Sequence, residues 1–339
     1  MCIRKKVFAG FLCILTSASL LAGCGSSDSA APKQVAPSEE STGSGTEEQT
    51  AGETEAADDT KEGDNTNEIE KKDAEGNAES TGAGDEKKGG NKAVSIEEQV
   101  LYDQDGLKIT AKEYTSDDIW GDGIKVLIEN DTDQDIMLSC DALIVNDYMI
   151  HDLFASEIAA GKKANETIYL SSSELKAAGI DTVGRIEIYF HGSDASTFDT
   201  LFEKERAVIE TSAVDEMDTK ANDDGMELYN EDGIRIVGKT VDENSFWGAA
   251  ILLYIENDSG HDVGISVDDM SINGFMMTPY FSTQVYDGKK SLDDITLLSS
   301  ELEENGIEAV EEVELKFHIY DLDSYETIAD SDPITFTAK

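Results

Sequence analysis

Ile128-Glu129-Asn130-Asp131 and Ile255-Glu256-Asn257-Asp258 are one tetrapeptide written twice, 127 positions apart, and that offset decides how the rest of the chain is read. Toward the N-terminus, Trp120-Gly121 returns as Trp247-Gly248, and Leu101-Tyr102-Asp103-Gln104-Asp105-Gly106 returns as Leu228-Tyr229-Asn230-Glu231-Asp232-Gly233. Toward the C-terminus the same step links Gly161-Lys162-Lys163 to Gly288-Lys289-Lys290, Ser172-Ser173-Glu174-Leu175 to Ser299-Ser300-Glu301-Leu302, and Phe190-His191 to Phe317-His318. The register never slips, and about a third of the matched positions are identical, so the chain holds two copies of one unit of about 110 residues. The spans are 95–213 and 227–339, joined by a short polar linker at 214–226.

Each copy has the period of a β structure. Leu107, Ile109 and Ala111 alternate with mostly polar residues, as do Ile124, Val126 and Ile128, then Ile136, Leu138 and Cys140, then Ile168 and Leu170, then Ile186, Ile188 and Phe190. Spacing of two buries one face of a strand and wets the other. Asn273-Gly274 is a two-residue hairpin signal, and Asn146-Asp147 is its weaker counterpart. The helical pattern is confined to a short turn opening at Ser172 or Ser299, with serine as N-cap, and closing at Gly179 or Gly306. About seven short strands per copy predict an all-β chain of two tandem antiparallel immunoglobulin-like β-sandwiches, without the Cys-Trp-Cys pattern of antibody domains.

The N-terminal part obeys other rules. Arg4, Lys5 and Lys6 precede an apolar run from Val7 to Leu20, too short for a comfortable membrane span. Leu21-Ala22-Gly23-Cys24 resembles, position for position, the lipobox of bacterial lipoproteins. The resemblance implies diacylglyceryl transfer to the Cys24 sulfur and cleavage between Gly23 and Cys24. Residues 1–23 are then a signal peptide, and two acyl chains suffice for stable anchoring on the outer, extracellular side of the cell membrane. Residues 24–94 are Ser, Thr, Gly, Ala, Glu, Asp and Lys with hardly an aliphatic and no aromatic side chain, which predicts a disordered acidic linker with a coil span of roughly 50 Å. Of four cysteines, Cys2 and Cys13 fall in the leader and Cys24 is the lipid site. Cys140 alone remains, so the mature chain has no intramolecular disulfide, and its alternating surroundings predict a buried structural thiol.

The run Gly123 to Ile136, a strand followed by Glu-Asn-Asp-Thr-Asp-Gln-Asp, together with the Asn-Gly hairpin and the Gly-Lys-Lys turn, resembles the small immunoglobulin-like β-sandwich domains found behind lipoboxes in Firmicutes surface lipoproteins, many of them of unknown function. The resemblance covers both copies. It implies the fold and no activity, because the shared residues are strand and turn residues.

A formal net charge of −47 argues against nucleic acid as a partner, since phosphate recognition needs clustered Lys and Arg. The linker carries about a quarter of that excess, so the folded copies are acidic themselves and suit cationic partners such as Ca²⁺ or basic proteins. Asp131-Thr132-Asp133-Gln134-Asp135 has the spacing of the first three ligands of a calcium loop, but Ile136 and Ala142 stand where Gly and a bidentate Glu belong. A polar turn explains it better. His191 and His318 are matched and predicted to face outward, with no second His or Cys at ligand spacing, while His151 and His261 are not matched. No metal site or cofactor is expected.

Trp120 and Trp247 precede the longest strand of each copy and read as core anchors ahead of ligand platforms. Tyr148-Met149-Ile150 and Phe275-Met276-Met277, continuing to Tyr280 and Phe281, are the most apolar non-alternating pieces and read first as core. Trp120, Trp247, Met149, Met276 and Met277 are nevertheless the candidate partner surface, because exposed versions would bind a protein. No nucleophile elbow, zinc-protease motif or phosphate loop occurs, so no catalytic residue is assigned. The sequence therefore predicts a non-catalytic, membrane-tethered extracellular module that binds or spaces. One alternative is a Ca²⁺-responsive surface module; another is an envelope-polymer hydrolase, which would need two carboxylates about 5–9.5 Å apart in a cleft.

Overall fold

The alternating apolar sets form strands at the expected places. The computed structural model describes residues 32–38, 94–117, 120–151, 153–217 and 220–338, which belong to one compact unit. The signal peptide, Gly23, Cys24 and most of the acidic linker lie outside the described residues.

One strand, β1 (Lys33–Pro37), precedes the copies. The first copy contains β2 (Gln99–Gln104), β3 (Leu107–Asp117), β4 (Gly121–Asn130), β5 (Ile136–Val145), β6 (Tyr148–Ile150), β7 (Ala155–Ile158), β8 (Lys162–Tyr169), α1 (Ser172–Ala178), β9 (Arg185–Asp194) and β10 (Thr200–Glu210). The second contains β11 (Met226–Glu231), β12 (Ile234–Ser245), β13 (Gly248–Asn257), β14 (Val263–Ile272), β15 (Phe275–Met276), β16 (Ser282–Val285), β17 (Lys289–Leu298), α2 (Ser299–Glu304), β18 (Glu312–Asp321), β19 (Thr327–Asp330) and β20 (Ile334–Ala338). In the first copy β2-β3-β4-β8 form one antiparallel sheet and β5, flanked by β6 and β7, pairs with β9 and then β10 in the other. The second copy repeats this plan, with β10 replaced by the broken pair β19 and β20 around Pro333.

Between the sheets lies one apolar core per copy. Ile109, Ile124, Ile128, Leu138, Ile168, Ile188 and Phe190 fill the first, and Ile236, Ile251, Ile255, Ile265, Ile295, Phe317 and Phe336 the second. Cys140 is only half-buried, because β5 bulges between Cys140 and Ala142 and the alternation changes phase there.

The hairpin turns follow from backbone chemistry. Asn273-Gly274 and Asn146-Asp147 both hold two successive positive φ angles, 51° and 81° in one and 49° and 68° in the other, as a type I′ turn requires. The asparagine side chain then locks the turn to the next strand. Asn146 Oδ1 accepts the N–H groups of Gly184 and Arg185, and Asn273 Oδ1 those of Glu311 and Glu312. The helices differ from expectation at their start: Ser172 and Ser299 are the first helical residues, and neither helix has a side-chain N-cap bond. At the other end Gly179 and Gly306 turn left-handed as predicted.

Two features were not anticipated. Lys33–Pro37, inside the stretch read as linker, is a strand hydrogen-bonded to β12 on one side and β20 on the other. An acidic low-complexity stretch hides it because only Val35 is aliphatic. The second feature is the contact between copies. Residues Ala142 to Val145 break the alternation because both faces of β5 are covered: Leu143 and Val145 enter the first core, while Ala142 and Ile144 pack on Tyr286 of the second copy. A neighbouring cluster joins Tyr148 and Ala178 to Val237 and Tyr254, and β6 pairs with β17 in parallel at Tyr148 and Lys290.

A buried charge network sits at this contact. The Glu187 carboxylate, 1% exposed, meets Lys289 Nζ at 2.7 Å and Arg206 at 2.8 Å, and Lys289 also reaches Asp147 at 2.9 Å. Burial alone would raise the Glu187 carboxyl, yet the hydrogen bonds from Lys289 and Arg206 outweigh it and hold the group below the usual carboxylate range.

Candidate partner-binding surface

The recurring Trp-Gly pair sits at the β3–β4 and β12–β13 turns, and its glycine is explained by close approach. A Cβ on Gly248 (φ +146°) would collide with Leu297 O, and one on Gly121 (φ +81°) with Ser172 Oγ. With the glycine pressed inward, the preceding tryptophan points out. Trp120 is 64% exposed and Trp247 48% exposed, which corrects the core-anchor reading of both. Position at a hairpin tip, rather than within a strand's buried phase, is the physical reason.

In the second copy this tip belongs to a larger apolar end. Phe246 packs edge-on against Trp247 at 4.8 Å, and both are exposed. Helix α2 ties the tip to the segment after β14: Ser299 N donates to Trp247 O at 2.8 Å, and Thr278 N donates to Glu301 Oε2 at 3.2 Å. Phe275, Met276 and Tyr280 on that segment are exposed, Met276 by 68%. Met277, the next residue, turns into the second core and is buried, so its candidacy as surface is corrected.

The first copy uses its matching residues differently. Tyr148, the counterpart of Phe275, is buried against Tyr254, and Met149, the counterpart of Met276, is half-buried with its sulfur accepting Tyr286 N–H at 3.1 Å. Met149 is thus spent on the contact between copies. Trp120 stays outside with Tyr169 at 6.0 Å. The structure therefore separates the five sequence-picked residues, leaving Trp247 and Met276 exposed on segments tied through α2, with Phe275, Tyr280 and the unpicked Phe246 exposed beside them in sequence. A bulky apolar residue directly before the hairpin tryptophan was the available signal.

The polar side chains of the two acidic turns have structural partners. Asn130, fully buried, donates to Gln134 O and Ile158 O and accepts from Thr132, and Asn257 repeats this with His261 O, Val285 O and Ser259. These amides organise the turns that begin like a calcium loop, and Asp135 Oδ1 there accepts Ala160 N–H. Among the described residues, no group of three or more His, Cys, Asp or Glu side chains is placed to hold a metal ion.

Every histidine faces a carboxylate. His191 and His318 do lie at matched places, with Asp141 at 3.2 Å and Asp330 at 2.6 Å, and His261 meets Asp321 at 2.8 Å. His151 lies between Glu174 and, from the second copy, Asp293. The hydrogen bond to Glu174 leads its pKa shift; with the nearby Asp293 it outweighs burial, and the imidazole is pushed up to about 9. Two open depressions meet at Asp330–Pro333, where the Ser331 hydroxyl accepts Phe317 N–H at 2.9 Å. No helix among the described residues is long and apolar enough to cross a membrane.

Each copy is thus an immunoglobulin-like antiparallel β-sandwich. No family model matches the chain, and no curated protein matches it. Among solved structures it is similar to the Salmonella enterica SafA pilin in complex with the SafB chaperone, at 9% identity and a TM-score of 0.20, over 63% of this chain and 88% of that one. A likeness this distant carries no argument about function.

Proposed function

We propose that this chain is a non-catalytic lipoprotein module, held through lipidated Cys24 on the outer face of a cell membrane, that binds a protein partner with the exposed end of its second sandwich. The observation that supports it most is the exposure of Phe246, Trp247, Phe275, Met276 and Tyr280 on two segments tied together through α2, on an otherwise acidic body. Aromatic and methionine side chains supply the contact energy of protein interfaces, and isolated exposed apolar residues would not gather this way. In the first copy the corresponding Tyr148 and Met149 do bind a protein surface, that of the second copy. The lipobox at Leu21 to Cys24 supports the tether.

The test is site-specific crosslinking on intact cells from position 276, compared with the same probe in Phe246→Ser/Phe275→Ser chains and with a probe at Trp120. A discrete adduct made from position 276, weakened by the double substitution and absent from position 120, supports the reading. The same adducts from both positions would sink it. Cys24→Ala separately tests the tether by releasing the protein into the medium.

A further inference from the structure

We propose that the second sandwich carries a strand-acceptor site between β12 and β20, whose ligand is a short extended peptide with a β-branched residue at its centre, supplied here by the chain's own Lys33–Pro37.

The pairing shows a strand shared between two sheets. Lys33 and Gln34 lie against Val241 and Thr240 of β12, while Val35, Ala36 and Pro37 lie against Ala338, Thr337 and Phe336 of β20. Backbone hydrogen bonds of this kind bind almost any extended peptide, so selectivity must come from side-chain pockets. One pocket is evident. Val35 is 7% exposed and belongs to the second core beside Leu228 and Phe336. Its Cγ1 lies 2.9 Å from where a Cβ on Gly238 would stand. The matched residue of the first copy is Ala111, so the second copy lacks a methyl where the peptide valine enters. At the strand's start, Lys33 Nζ meets Glu243 at 2.8 Å, and that carboxylate also accepts Val310 N–H.

The first copy reveals what the slot is for. There the residues just before β2 fill it themselves: Ser95 O accepts the N–H of Ser212, and Ile96 packs on the first core. Counted antiparallel from that contact, Ile96 stands beside Thr211, whose counterpart 127 positions on is Ala338, the neighbour of Val35. The counterpart of Ile96 itself is Asp223, which is bonded to Arg235 at 2.8 Å and cannot serve as a core residue. Neighbouring Asn222 is drawn to the first copy, where Tyr148 Oη accepts its N–H. The second sandwich has thus given up its local edge segment, and a segment some 300 residues away in sequence stands in its place.

The experiment uses the full mature chain carrying Val35→Asp and a synthetic peptide of residues 32–38. Hydrogen exchange should quicken about tenfold or more at Thr240–Val241 and Thr337 while Thr211–Ser212 is unchanged. Added peptide should bind saturably and restore protection, and should bind less well when Gly238→Ala is also present. Unchanged exchange in the Val35→Asp chain overturns the proposal. So does quickened exchange that no concentration of peptide reverses, which would leave a fixed strand rather than an acceptor site. The outcome does not depend on the partner surface, since none of these positions belongs to it.

Discussion

Asn130 and Asn257 explain why the tetrapeptide that sets the repeat is repeated at all. Each amide satisfies two carbonyls and orders the following turn from a fully buried position. Removing the side chain leaves those carbonyls without a donor, so Asn257→Ala should cost about 3 kcal/mol in chemical denaturation. The exposed neighbour Asp258→Ala should stay within about 0.5 kcal/mol. His151 offers a pH-dependent counterpart. Its folded pKa, near 9, lies above the ordinary value of about 6.5, so its stabilising effect is complete below the latter and fades as pH rises through the former. His151→Gln should therefore lower the melting midpoint at pH 6 and leave it unchanged at pH 10; equal loss at both would contradict an ionic role.

Among elements, the strands were legible wherever one face is buried and one wet, because period two is then written directly into the chain. The legibility fails on β5, where Ala142-Leu143-Ile144-Val145 is continuous apolar sequence and its counterpart reads Asp269-Met270-Ser271-Ile272. Reading the copies against each other at those positions would have exposed the second buried face, as would Val237 and Tyr254 against Thr110 and Leu127. Ile144→Ala should cost about 3 kcal/mol through the contact between copies, whereas Ser271→Ala should be near neutral. The tryptophans, though named as candidate surface, read first as core anchors for a different reason: hydrophobicity does not tell a hairpin tip from a strand. Strand β1 escaped because its register is set by a partner some 300 residues distant, and no local pattern encodes such a partner.

The whole molecule holds together through contacts that are small beside either core but partly ionic and buried. Glu187 needs Lys289 and Arg206. Replacing Lys289 by Met leaves one carboxylate oxygen without its buried partner while Arg206 keeps the other, so stability should fall by about 3 kcal/mol at neutral pH, and a paired Glu187→Leu should recover much of it. Because the folded Glu187 carboxyl is held down, its contribution is present above the ordinary carboxylate range and lost as pH falls through its lowered folded value. Melting of the unaltered chain should be a single transition that separates into two in Lys289→Met, read by calorimetry.

Strand β1 also fixes how far the body can stand from its anchor. With Cys24 lipidated as proposed, only nine residue steps lead to Lys33, about 30 Å at full stretch, against about 240 Å had the chain stayed free as far as Val94. The leash is then short. Lys33 enters beside Val241 and Glu243, close to the tip that carries Phe246 and Trp247. With that tether, the aromatic end would lie within reach of the lipid surface and of neighbours embedded in the same membrane.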